Sequence, residues 1–115
     1  MFPQVLLICQ NSRTRRLYHR VVEELQCETV IAKSVADSLV QLVVSKPSVV
    51  VLDESLPVFD VSMFLDVTKN NQQWMSLPLV VIGFANQRHL FPSRTLFCGN
   101  EQEFERSLKE ICATL

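Results

Sequence analysis

Apolar residues fall along this chain in two rhythms. Largely apolar runs at residues 5–8, 29–32, 48–52, 79–82 and 95–98 suit short strands of a covered sheet. Between them apolar residues recur three and four apart, the spacing of a helix's inner stripe. Asn11 or Ser12 is placed to cap a first helix, with Leu17, Val21 and Leu25 as its stripe. Ser34 caps a second helix running to residue 44, with Val35, Leu39, Leu42 and Val43 facing in, and Lys46-Pro47 stops it. Asp60 or Ser62 caps a third, to about residue 69, and 70–76 is loop. Asn100-Glu101-Gln102-Glu103 carries a capping-box pattern and opens a last helix with Phe104, Leu108, Ile111 and Leu115 inward.

Apolar strands alternating with amphipathic helices predict an α/β fold of three layers, a parallel sheet between two sets of helices. Parallel neighbours need crossovers of about a dozen residues or more. Three connections meet that easily. The fourth, residues 83–94, is at the minimum and contains Pro92, so it has room for at most one helical turn. Phe84, Leu90 and Phe91 lie in or beside it, either covering the bared sheet or forming an apolar contact patch. With 115 residues the expectation is one domain spanning 1–115, large enough for a core without staples.

Charge and cysteine usage narrow the function classes. A formal net charge of −1 gives no general pull toward nucleic acid or anionic lipid. The longest apolar stretches, 49–52 and 77–85, are too short to span a bilayer. Met1-Phe2-Pro3-Gln4 lacks the features of a signal peptide, so a cytoplasmic location is expected, with no membrane association. Cys9, Cys27, Cys98 and Cys112 show no CxxC spacing and read as small buried hydrophobes, without a metal or redox role. His19 and His89 are isolated from any nucleophile motif, and no glycine-rich phosphate loop is present. No catalytic residue and no cofactor is expected.

Asp53 ends the third strand, and Pro57 follows four residues later. Val49-Val50-Val51-Leu52-Asp53-Glu54-Ser55-Leu56-Pro57 resembles the phosphoacceptor strand and loop of response-regulator receiver domains. The first strand and the Leu77-Pro78 entry to the fourth strand fall at receiver-like separations, so the resemblance covers essentially the whole chain. It implies a flavodoxin-like five-stranded parallel sheet of order 2-1-3-4-5, here with a shortened or missing fourth helix. It also implies a pocket at the carboxyl ends of the strands. Receiver chemistry uses two acids after strand 1 and the acceptor aspartate to hold Mg²⁺, then a hydroxyl after strand 4 and a lysine after strand 5 to hold the phosphoryl group. Each neutralises charge as an anion attacks an anion.

At the matching positions this sequence departs from that pattern. Cys9 and Gln10 stand where the acidic pair belongs, Gly83 at the hydroxyl position, and Phe97 or Cys98 at the lysine position with no cation near. The family's Asp-Gly after the proline becomes Asp60-Val61. Of the five groups only Asp53 remains, and a strand-end carboxylate can equally serve to cap backbone N–H groups. The resemblance therefore implies a degenerate pseudo-receiver: a signalling domain acting by protein–protein interaction without aspartyl phosphorylation, not an enzyme. It would be the N-terminal regulatory module of a response or transcription regulator, bound to a partner protein, a C-terminal output domain or a second copy of itself. Arg13, Arg16 and Arg20, with Arg15 and His19, make the first helix basic; they and Phe91 are the candidate partner surface, the alternative being a solvated face. Trp74 reads as packing over a strand edge. Two other functions remain open: a regulator still phosphorylated on Asp53, with Glu54 as helper, or a ligand-binding flavodoxin-like domain.

Overall fold

The computed structural model describes residues 3–115, so Met1 and Phe2 of the N-terminal segment lie outside the described residues. Five strands and four α-helices follow in the order β1 (Gln4–Ile8), α1 (Ser12–Glu24), β2 (Glu28–Ala32), α2 (Val35–Ser45), β3 (Val49–Asp53), α3 (Val58–Lys69), β4 (Leu79–Ile82), β5 (Leu96–Cys98) and α4 (Glu101–Thr114). The strands form one sheet of order β2-β1-β3-β4-β5, and every neighbouring pair is parallel. This is the three-layer, flavodoxin-like arrangement the sequence implies. Register aligns Ile8 with both Ala32 and Leu52, and Asp53 with Ile82, so the exits of β1, β3 and β4 lie side by side.

Alternation along the strands divides the core in two. Val5, Leu7, Val49, Val51 and Val80 pack with Tyr18, Val21 and Val22 of α1 and Phe104, Leu108 and Ile111 of α4. Leu6, Ile8, Val50, Leu52 and Val81 pack with Val35 and Leu42 of α2 and Val61, Phe64 and Leu65 of α3. Three helices start on side-chain caps, each contributing about 1 kcal/mol. The Asn11 side chain accepts from Thr14 N–H (3.0 Å), Ser34 from Asp37 N–H (3.1 Å) and Asn100 from Glu103 N–H (2.9 Å). The reciprocal arm of the last cap lands one residue early, on Gly99 N–H at 2.7 Å.

Several expected inner faces shift. On α1 the buried position is Tyr18 rather than Leu17, because its ring meets Phe104 edge-on at 4.9 Å. On α2 the expected inward Val43 is 62% exposed; Ser38 takes the place facing the sheet, its hydroxyl satisfied by Val35 C=O at 2.6 Å. Helix α3 starts two residues before the expected cap, with Pro57 at the cap position and Val61 N–H bonding Pro57 C=O at 3.1 Å. Leu115 lies past the end of α4 and is exposed. Between β4 and β5, Ala85–Leu90 forms two short 3₁₀ turns kinked at Gln87, more than the single turn expected.

That link settles the choice left open for its aromatics. Phe84 and Phe91 are buried 5.6 Å apart, and Phe91 meets Phe97 edge-on at 5.5 Å. They cover the sheet where a longer helix would otherwise lie. The expectation of Phe91 on a partner surface therefore fails, because its ring is used in the core; Leu90 is the more exposed residue of the link. Trp74 packs at the amino ends of the strands beside Leu42, Pro47 and Leu77, the opposite end of the sheet from Asp53.

Candidate functional site at the strand ends

The carboxyl ends of β1, β3 and β4 frame a cleft of about 320 Å³ lined by Asn11, Thr14, Tyr18, Asp53, Glu54 and Gly83, among others. Asp53 closes β3 and is 3% exposed. Its Oδ1 accepts from Ser55 N–H at 2.9 Å, an Asx turn that reverses the chain out of the strand. The Cys9 thiol, with one hydrogen to give, lies 3.5 Å from the same oxygen and 3.4 Å from Asn11 C=O. Cys9 is fully buried, and burial followed by the nearby Asp53 carboxylate pushes its pKa up to about 11. It is a neutral thiol, neither a nucleophile nor a ready metal ligand.

Ser55 completes a clasp. Its hydroxyl oxygen accepts from Gln10 N–H (3.1 Å) and Asn11 N–H (3.2 Å), tying the loop after β3 to the exit of β1. Gln10 itself is exposed, its backbone in the clasp. Arg15 reaches back from α1 to donate to Cys9 C=O at 3.1 Å. Across the cleft, Gly83 has φ of +90°, and Glu54 fills the space a side chain would need there; a Cβ on Gly83 would stand 2.8 Å from Glu54 Cβ and nearer still to its carboxylate. Tyr18 forms part of the wall, its pKa raised to about 12 by burial and then by Asp53.

Positions 97 and 98 part company. Cys98 faces the α1–α4 side and donates to Ser107 Oγ at 3.3 Å, with its pKa raised chiefly by burial. Phe97 faces the α2–α3 side. Here the expected lack of a nearby cation is corrected: the kinked link brings the Arg88 guanidinium 4.7 Å from the Phe97 ring centre. That contact is a cation–π pair, and it lies across the sheet from Asp53, whose side chain shares the face of Val49 and Val51.

Solved structures with this arrangement are numerous. A chain from Chloroflexus aurantiacus described as a response regulator superimposes with a TM-score of 0.83, covering 98% of this chain and 99% of its own at 18% identity. The chemotaxis response regulator CheY4 of Vibrio cholerae gives 0.80, with 96% and 99% covered at 13% identity. A signal receiver domain of a histidine kinase from Syntrophus aciditrophicus gives 0.81, with 98% and 92% covered at 11% identity. The fold is that of a receiver domain. At such identities the likeness is one of fold alone. No family model and no curated protein matches the sequence.

Magnesium is the ion receiver chemistry uses, and the residues at this end of the sheet do not fit it. Mg²⁺ takes hard oxygen donors in near-octahedral geometry. Asp53 and Glu54 supply two carboxylates, Asp53 Oδ1 being taken by Ser55 N–H; Cys9 supplies a thiol, and the Ser55 oxygen is occupied by two backbone N–H groups. Among the described residues no three His, Cys, Asp or Glu side chains converge as a metal site would require. Ser55 and Tyr18 were not singled out from the sequence. The signal for Ser55 was its position two after a strand-end aspartate; Tyr18 had only its place one residue off the expected stripe.

Arg13, Arg16 and Arg20 are all exposed on α1, and none makes an ion pair within 4 Å among the described residues, whereas His19 lies 3.1 Å from Glu23. A larger cavity, about 570 Å³, opens between α3 and the link, lined by Leu65, Met75, Phe91, Pro92 and Arg94 among others. It is remote from the strand-end cleft, and no described helix is long and apolar enough to cross a membrane.

Proposed function

We propose that this chain is a pseudo-receiver: a signalling domain that works by holding a protein partner and is not switched by phosphorylation of Asp53. The observation that carries this reading is the setting of Asp53: its Oδ1 holds the turn at Ser55 N–H, a neutral Cys9 thiol lies 3.5 Å away, and no basic side chain lines the cleft among the described residues. A phosphoacceptor needs positive charge beside it. Here its close neighbours are a neutral thiol and a hydroxyl, while Glu54 adds negative charge to the same cleft. Such a carboxylate holds a turn together and performs no chemistry.

On this reading the domain is the regulatory module of a response or transcription regulator in the cytoplasm, its partner being a protein or an attached output domain. The exposed arginines of α1 would meet acidic groups on that partner. Incubation with a small-molecule phosphodonor and Mg²⁺, followed by intact-mass measurement, tests the reading. The expected result is an unmodified chain, with calorimetry showing no heat of Mg²⁺ binding. A stoichiometric phosphoryl adduct on Asp53 overturns it and restores the phosphorylated regulator, with Glu54 as the helper.

A further inference from the structure

At about 570 Å³, the cavity between α3 and the link has the size of a small-molecule site, usually about 300–1,000 Å³. It exists because the link is thin. Residues Ala85–Leu90 turn as short 3₁₀ pieces, and Phe84 and Phe91 fold down onto the sheet, so no full helix stands beside α3. Leu65 of α3, Met75 of the loop before β4, and Leu90 and Phe91 of the link give the cavity apolar walls. Met75 is half exposed, and its unbranched thioether can adapt to whatever lies against it.

The charged groups on the wall are Lys69, Arg94 and Asp66. Neither cation lies within 4 Å of a carboxylate among the described residues, so Asp66 pairs with neither. The Arg94 Nε–H donates to Leu77 C=O at 2.9 Å. That bond anchors the guanidinium, while its terminal nitrogens have no hydrogen-bond partner among the described residues. An anchored guanidinium with free N–H groups suits a carboxylate, which it can grip through two parallel bonds. Two cations and one acid leave the wall with a single net positive charge.

We infer that this cavity binds a small apolar molecule ending in one carboxylate. The apolar body lies against Leu90 and Phe91, and the carboxylate pairs with Arg94 and Lys69. An uncharged apolar molecule gains nothing from the two cations, and an ammonium ligand is repelled by both. The site is separate from the strand-end cleft, so it adds a ligand to the domain whatever Asp53 does.

Calorimetric titration of the whole chain with 4-phenylbutanoate tests the inference. One-to-one binding is expected, with a dissociation constant of roughly 100 µM. The matching alcohol, 4-phenylbutanol, and the matching amine, 4-phenylbutylamine, are expected to bind about tenfold more weakly or worse. Methyl NMR locates the site: the Leu65, Met75 and Leu90 signals shift on titration. Four variants read the charges, all at exposed positions, and circular dichroism shows that each still folds. Lys69→Gln with Arg94→Gln weakens binding about tenfold, and Arg94→Lys alone keeps most of it. Asp66→Asn removes the one acid and tightens binding. Lys46→Gln, beside the smaller hollow at Trp74, changes nothing. Absence of saturable binding below about 1 mM overturns the inference. So do an alcohol or amine that binds as well as the acid, methyl shifts elsewhere in the fold, and a double variant as tight as the wild type. A phosphoryl adduct on Asp53 would leave every one of these readouts unchanged.

Discussion

Threonine at position 83 would return the hydroxyl that receiver chemistry places after the fourth strand, and the structure predicts that the domain tolerates it poorly. Gly83 has φ of +90°, a conformation in which a β-branched residue costs about 1–3 kcal/mol. The new Cβ would also stand 2.8 Å from Glu54 Cβ. Glu54 cannot retreat freely, because its N–H is bonded to Ile82 C=O at 3.0 Å; its carboxylate can swing into solvent, but its Cβ moves only with the loop. Overpacking of that kind adds about 1 kcal/mol. The total, about 3 kcal/mol, lowers the thermal midpoint by roughly 12 °C for a domain of this size. Urea unfolding followed by circular dichroism measures it, with the slope unchanged. A Glu54→Gly background separates the two parts: the packing part disappears and about 2 kcal/mol of backbone strain stays. A loss below about 1 kcal/mol, or an identical loss in both backgrounds, would refute the claim that Glu54 occupies the missing side chain's place.

Asp53→Ala leaves Ser55 N–H without its acceptor, while the Cys9 thiol keeps Asn11 C=O at 3.4 Å, and should cost about 1–3 kcal/mol in urea unfolding, the signature of a structural carboxylate. Phe104→Ala empties a fully buried site and its edge-on contact with Tyr18, for a loss of about 3–5 kcal/mol by the same assay. Folding raises the pKa of Cys9 to about 11 and of Tyr18 and Cys112 to about 12, so the fold favours their neutral forms. That contribution is complete below the ordinary thiol value of 9.0 and is lost as pH climbs through the raised values, so the urea midpoint should fall between pH 9 and about 12. Cys27 and Cys112 hold their sulfurs 3.5 Å apart across 85 residues of chain. Oxidised glutathione should join them, slowly at pH 7 because burial keeps the Cys112 thiol protonated, with a loss of two hydrogens by mass and a gain of up to about 4 kcal/mol.

Strands β1, β3 and β4 were legible because each is buried along nearly its whole length and so reads as an apolar run, Val49-Val50-Val51-Leu52 most clearly; the edge strands β2 and β5, half-buried, were legible from their short apolar cores. Asn11, Ser34 and Asn100 were legible as caps because capping is a local matter of a few residues. On α2 the inward assignment of Val43 failed for a physical reason: with Val40, Val43 and Val44 apolar on the far side, periodicity cannot say where the inner stripe ends. At the strand ends the sequence displays which family groups are replaced, since Cys9, Gln10 and Gly83 are read off directly. It does not display what fills the gaps. Ser55 reaches residues 44 and 45 positions away, Arg88 meets Phe97 only through the kink at Gln87, and Glu54 covers Gly83 only because β3 and β4 end in register.

The Ser55 clasp has a mechanical consequence. A switchable domain keeps its loop after the central strand loose enough to adopt two poses, so that a chemical mark can choose between them. Here one hydroxyl ties that loop to the neighbouring strand's exit through two backbone donors, which favours one pose. On the pseudo-receiver reading proposed above, the domain would then be governed by its abundance in the cell and by which proteins it encounters.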